Sequence, residues 1–191
     1  MNTDRDTSWA SVSAIGNTGF AFALFITGFT YTGLVPFADS LGILIFTLLF
    51  LIGLGYFLSS IIELRNNMGS TGFVILVWSL FGFIAGLVYL FTYSIPILQQ
   101  PSPTTFLMFW LFWIFMALVS AVVLKPLGKM ISANLYWLAI TFAFLAAAAY
   151  GNLAVIFAAG IISFAQSLYN WYLTAAIIIN NTYRKNVVPL K

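Results

Sequence analysis

The chain of 191 residues contains no cysteine and no histidine. Their absence removes disulfides, thiolate and imidazole metal sites, and every catalytic triad built on either residue. Charge is scarce as well: Asp, Glu, Lys and Arg make up 6% of residues, where a soluble domain carries roughly 25%. No basic run is dense enough to follow a nucleic-acid backbone, so nucleic acid is excluded as a partner. No nucleophile and base stand together as an enzyme would need, and no cofactor is implied.

What is present is hydrophobic: 62% of residues, with a mean hydropathy of +1.05. A spanning helix needs ~20 apolar residues, and the chain divides into six such stretches separated by short polar breaks. The fold class expected is an all-α membrane protein, a six-transmembrane-helix bundle with both termini cytoplasmic. The spans are predicted over 18–35, stopped by Pro36; 41–62, closed by Glu63-Leu64-Arg65-Asn66-Asn67; and 71–94, ending near Pro96. Three more follow over 105–124, closed by Lys125-Pro126-Leu127-Gly128-Lys129; 133–150, ending at Gly151-Asn152; and 160–181. Residues 1–16 are expected to form a retained amino-terminal tail, 17–182 the membrane domain and 183–191 a basic carboxy-terminal tail.

With this division all seven basic residues, Arg5, Arg65, Lys125, Lys129, Arg184, Lys185 and Lys191, fall on one side of the membrane. The positive-inside rule makes that side cytoplasmic, in a plasma or inner membrane. A miscount by one span would scatter them over both faces. No charge falls inside a predicted span, where it would cost roughly 2.5–3.5 kcal/mol. Asp39 and Glu63 sit near span ends and read as solvated loop charges, so the carboxylate relay of a proton-driven pump is missing.

The polar residues that do enter the spans are patterned. In the last one Ser163, Gln166, Ser167, Asn170 and Thr174 recur at helical spacing, and a stripe of that length favours a lined path over a single helix crossing. In the first, Gly16-Asn17-Thr18-Gly19 reads as a frayed helix start whose free amides attract an anion, and Thr27, Thr30 and Tyr31 follow at helical spacing. Ser79, Gly82 and Gly86 form a small-residue face for close helix packing. The run rich in Phe and Trp from Phe106 to Phe115 reads as bulk facing lipid or another subunit. An uncharged path of hydroxyls, amides and apolar rings suits a small, weakly hydrated or transiently neutral solute.

Several of these stretches resemble the acetate uptake transporter family, which includes bacterial succinate-acetate permeases and yeast acetate transporters. Asn17 and Gly19 match the family's Asn-Pro-Ala/Gly-Pro-Leu-Gly-Leu start, without its prolines. Ile61-Ile62-Glu63 and Gly69-Ser70-Thr71 resemble its Leu-Leu-Glu and Gly-Asn-Thr. Gly151-Asn152, Ala159-Gly160, Tyr172-Leu173, Asn180 and Val187-Val188-Pro189 are similar to its later landmarks.

The resemblance implies six helices, hexamers with a pore in each subunit, and a constriction whose positions fall at Ile26, Leu80 and Thr141, with Phe25 and Phe81 one step away. The function expected is a channel or transporter for acetate and similar short carboxylates, with succinate by resemblance. Capture is expected near Asn17 and Gly19, with Thr30, Gln166, Ser167 and Asn170 along the path. The partners expected are a small monocarboxylate, membrane lipid and further copies of the chain. A channel for urea, ammonia or water, and a membrane scaffold whose stripe only packs helices, are the competing readings.

Overall fold

A computed structural model describes residues 13–95 and 97–190. The expected tail as far as residue 12, with Arg5, and also Pro96 and Lys191, lie outside the described residues. The described chain is all α-helical. Six helices follow one another: α1 (Ser13–Tyr31), α2 (Phe37–Arg65), α3 (Gly69–Ser94), α4 (Pro103–Val123), α5 (Lys129–Ala148) and α6 (Leu153–Tyr183). All but α1 are long and apolar enough to cross a membrane. Gly16, Asn17, Gly19 and three threonines make α1 less apolar, yet at 19 residues it spans roughly 28 Å.

The breaks carry local signals. α1 ends at Tyr31, short of the expected stop at Pro36, which instead opens α2. Ser102 accepts from Thr105 N and Pro103 supplies the first residue of α4. Asn152 accepts from Ala154 N and Val155 N, so α6 begins seven residues before the expected Gly160. Gly151 makes the turn into it at φ +80°, where a side chain would be strained. Beyond α6, Asn180 holds the returning chain: its Oδ1 accepts from Val187 N and Val188 N, and its Nδ2 donates to Val188 O.

The helices close into a ring in the order α1, α6, α5, α4, α3, α2 and back to α1. α2 and α3 meet most closely. A Cβ added to Gly82 would lie 2.5 Å from Gly53 N, so this small-residue face brings two backbones together as its spacing predicts. At this contact α2 is wound as a π-helix over Thr47–Leu54, and Ser79 Oγ donates to Gly53 O at 2.8 Å. A π-turn loosens the regular backbone ladder, and the hydroxyl gives this carbonyl a partner from α3. The contact between α3 and α4 is lighter and is filled by rings: Phe81 lies 4.9 Å from Trp113, and Trp78 Nε1 donates to Ser120 Oγ at 3.2 Å.

Successive helices alternate in direction, so the start of α1 meets the end of α2, where the Tyr56 hydroxyl donates to Asn17 Oδ1. That end of the ring carries Arg65, Lys125, Lys129, Arg184 and Lys185. The opposite end carries Tyr31, Phe37, Tyr89 and Tyr93.

Candidate functional site

Two cavities lie inside the ring. The larger, of about 120 Å³, sits toward the basic end and draws its wall from five helices. Its polar groups are Asn17, Tyr56, Thr71, Asn134 and Asn170; Leu135, Leu138, Leu173 and Ile177 supply much of the apolar wall. The smaller, of about 40 Å³, sits toward the tyrosine end between Ala23, Leu24, Thr27, Tyr31, Leu48, Tyr89 and Leu145. Phe20 belongs to both walls. Its ring lies 5.4 Å from Phe81, nearly parallel to it, and 5.4 Å from Trp78, edge-on. Phe142 continues the layer 5.5 Å from Phe81 and 5.0 Å from Trp110. One aromatic partition therefore divides the two chambers.

The partition explains where the expected constriction goes. Ile26 lies on an outer groove with Phe22, Phe25 and Phe29, and Leu80 is 50% exposed on the outer surface. Thr141 is fully buried, donating to Gln166 Oε1. These three line neither chamber. The correction on α3 is one residue, about 100° of helical turn, which exchanges Leu80 for the buried Phe81. On α1 the ring comes from Phe20, and Phe25 instead packs outward in tilted contacts with Phe29, Phe164 and Trp171.

The expected fraying of the first helix's start is also corrected. α1 is already helical from Ser13, so Asn17 and Gly19 lie inside it. Asn17 reaches the larger cavity with its side chain, and a Cβ at Gly19 would meet Leu51 of α2 at 2.6 Å, so that glycine serves packing. Thr30 Oγ1 bonds Ile26 O and the Ser40 hydroxyl, joining α1 to α2.

The stripe on α6 divides between packing and lining. Gln166 is fully buried, accepts from Thr141 and donates from Nε2 to Asn134 O at 3.2 Å. Ser167 Oγ donates to Phe164 O within its own helix. Asn170 lines the larger cavity, with Oδ1 accepting from Asn134 Nδ2 at 2.8 Å. Ser163 and Thr174 hydroxyls are buried without a partner among the described residues.

Glu63 departs from its expected solvated state. It is 6% exposed, and its Oε2 has no partner among the described residues. Asp39 is exposed, as a loop charge would be.

Sequence reasoning passed over Phe20, Tyr56, Trp78, Asn134 and Phe142. On α1 a signal exists: Phe20, Ala23, Leu24, Thr27 and Tyr31 recur at three-and-four spacing and all face the smaller cavity. On α4, read as outward bulk, Trp110 lines the smaller cavity and Trp113 is buried, while Phe112 and Phe115 face outward.

A solved structure, that of the bacterial acetate channel SatP, matches with a TM-score of 0.84 over 95% of this chain and 98% of that one. This chain shares that channel's fold. The two sequences are 17% identical, so the likeness is one of architecture. No family model matches the chain, and no curated protein does. No cluster of three or more acidic residues able to hold a metal ion occurs among the described residues.

Proposed function

We propose that the chain is a membrane channel or transporter for acetate and similar short carboxylates, conducting them lengthwise through a conduit inside each six-helix bundle. The observation that carries this reading is the pair of cavities that share Phe20 in their walls, separated by a single layer of rings centred on it. The shared fold with an acetate channel supports it. Solute gathers in the larger chamber among Asn17, Asn134 and Asn170, and passes when the partition opens.

Size favours a short solute. A cavity of about 150 Å³ is enough for benzene, so chambers of about 120 and 40 Å³ suit acetate better than a dicarboxylate such as succinate. No charged residue lines either chamber among the described residues, so the conduit moves the anion passively or the neutral acid with its proton. All six helices cross the membrane. The basic end is cytoplasmic by the positive-inside rule, with both termini there. Hexamers follow from the family resemblance.

The three asparagine amides also suit a neutral amide, and urea is the second reading. Proteoliposomes holding the purified protein separate the two when loaded with labelled acetate, succinate or urea. Acetate flux above protein-free vesicles is expected; urea flux without acetate flux would overturn the first reading, and no flux of any of the three would favour a scaffold.

A further inference from the structure

The end of the bundle opposite the basic residues gathers aromatic hydroxyls. Tyr31 closes α1, Phe37 opens α2, and Tyr89 and Tyr93 lie on the last turns of α3. The Tyr89 and Tyr93 rings are 5.7 Å apart, and Phe37 stands 5.2 Å from Tyr93 and 6.3 Å from Tyr89. Tyr31 and Tyr89 both line the smaller cavity, and the three phenols are electrostatic neighbours. None of their hydroxyls has a hydrogen-bond partner among the described residues.

Tyrosine is common where membrane helices meet water, with its ring in the interface. Here two of the three rings turn inward onto a cavity. α3 finishes in a π-helix over Leu90–Ser94, leaving Thr92 Oγ1 buried and unpartnered among the described residues. π-turns inside α-helices are frequent at functional sites.

The chemistry available is three phenolic donors with no cation among the described residues at this end. Asp39, the nearby carboxylate, borders the outer groove with Phe22 and Phe25 rather than the cavity. An O–H donor aimed at a carboxylate makes a short charge-assisted bond, and the positive edges of the rings favour an anion in their plane.

We infer that Tyr31, Tyr89 and Tyr93 form a carboxylate-receiving site at the narrow end of the conduit, taking a short monocarboxylate by hydrogen bonds alone. This rests on the proposed conduction of carboxylates. A site without fixed charge holds the anion weakly enough to release it toward the partition, as conduction requires. A cation over the ring faces is the opposite use of the same rings, and a hydroxyl deletion separates the two. Tyr→Phe removes the donor and keeps the ring, so it weakens an anion site and spares a cation site.

The test measures initial acetate uptake against concentration in proteoliposomes for wild type, Tyr31→Phe, Tyr89→Phe, Tyr93→Phe and the double variant Tyr31→Phe/Tyr89→Phe. The half-saturating concentration should rise in each single variant and roughly tenfold in the double, with the maximal rate and the melting temperature in detergent held. Unchanged half-saturation in all four variants overturns the site while acetate conduction stands. Competition by methylammonium that persists in the double variant, with acetate half-saturation unmoved, assigns the rings to a cation and also overturns it.

Should the wild type carry no acetate, titration of its intrinsic fluorescence with sodium acetate at constant ionic strength decides. A saturable change lost in the double variant sustains the site without the conduit. No saturable change removes both.

Discussion

Replacing Phe20 with alanine removes the ring that the two chambers share. Opening the partition in the wild type requires that ring to leave Phe81 and Trp78, each at 5.4 Å. Aromatic pairs contribute about 0.5–1.5 kcal/mol apiece beyond their buried area, so parting from both costs about 1–3 kcal/mol. A barrier lowered by that amount speeds passage roughly 5- to 150-fold. Deleting the ring also fuses the chambers of about 120 and 40 Å³ into one larger than their sum. Phe20→Ala should therefore raise acetate flux within that range and raise succinate flux over that of the wild type.

The assay is initial uptake of both labelled acids into proteoliposomes at matched protein content, with Phe20→Leu as a variant that keeps most of the bulk. Phe→Ala costs about 3–5 kcal/mol in a soluble core, so the melting temperature and elution volume in detergent are measured on the same samples. A folded Phe20→Ala protein with acetate flux equal to or below that of the wild type would refute the partition.

A second pair of variants tests the register on α3. Leu80→Ala, at a half-exposed position, should leave flux unchanged, whereas Phe81→Ala should raise it. Gln166→Leu deletes two bonds to α5, from Thr141 and to Asn134 O. At about 0.6 kcal/mol per interhelical bond and at most about 1.7, it should lower stability by about 1–3 kcal/mol, read as a lower melting temperature, with substrate preference unchanged. Asn170→Leu places an apolar side chain in the larger chamber and should cut acetate flux with assembly intact on a sizing column. Gly82→Val drives a side chain into Gly53 N and should abolish accumulation of folded protein in membranes, seen by fluorescence of a carboxy-terminal fusion.

Helix positions are legible in this chain because lipid punishes an unpaired backbone, so every span must be one long apolar run bounded by polar residues. Their exact ends are less so. Pro36 reads as a stop for α1, but proline suits a helix start equally well, and it opens α2. Asn17 and Asn170 were legible as candidate lining residues because polar side chains are rare in such spans.

The facing of most other residues was not legible, since an apolar ring looks alike whether it meets lipid, a neighbouring helix or a lumen. Phe25 and Phe20 differ only in which way five residues of helix turn them. Gln166 shows the converse: a polar group bonded at both its oxygen and its nitrogen, by Thr141 and Asn134, across a helix contact. A stripe on one helix cannot say what stands opposite. The buried state of Glu63 was hidden for the same reason, because a charge beside a polar loop is ordinarily wet.

The π-wound stretch of α2 carries a consequence for how this chain can change. Its looser coil holds residue positions that a regular helix of the same rise would not contain. Losing one residue between Thr47 and Leu54 would let this stretch rewind as a regular helix, with the helix on either side keeping close to its present facing. The Tyr56 hydroxyl would stay within reach of Asn17, and the change would fall on the contact of Gly53 with Gly82 and on the bond from Ser79. Gly53 admits no side chain against Phe83, yet the winding around it can give up a residue that a regular helix could not spare.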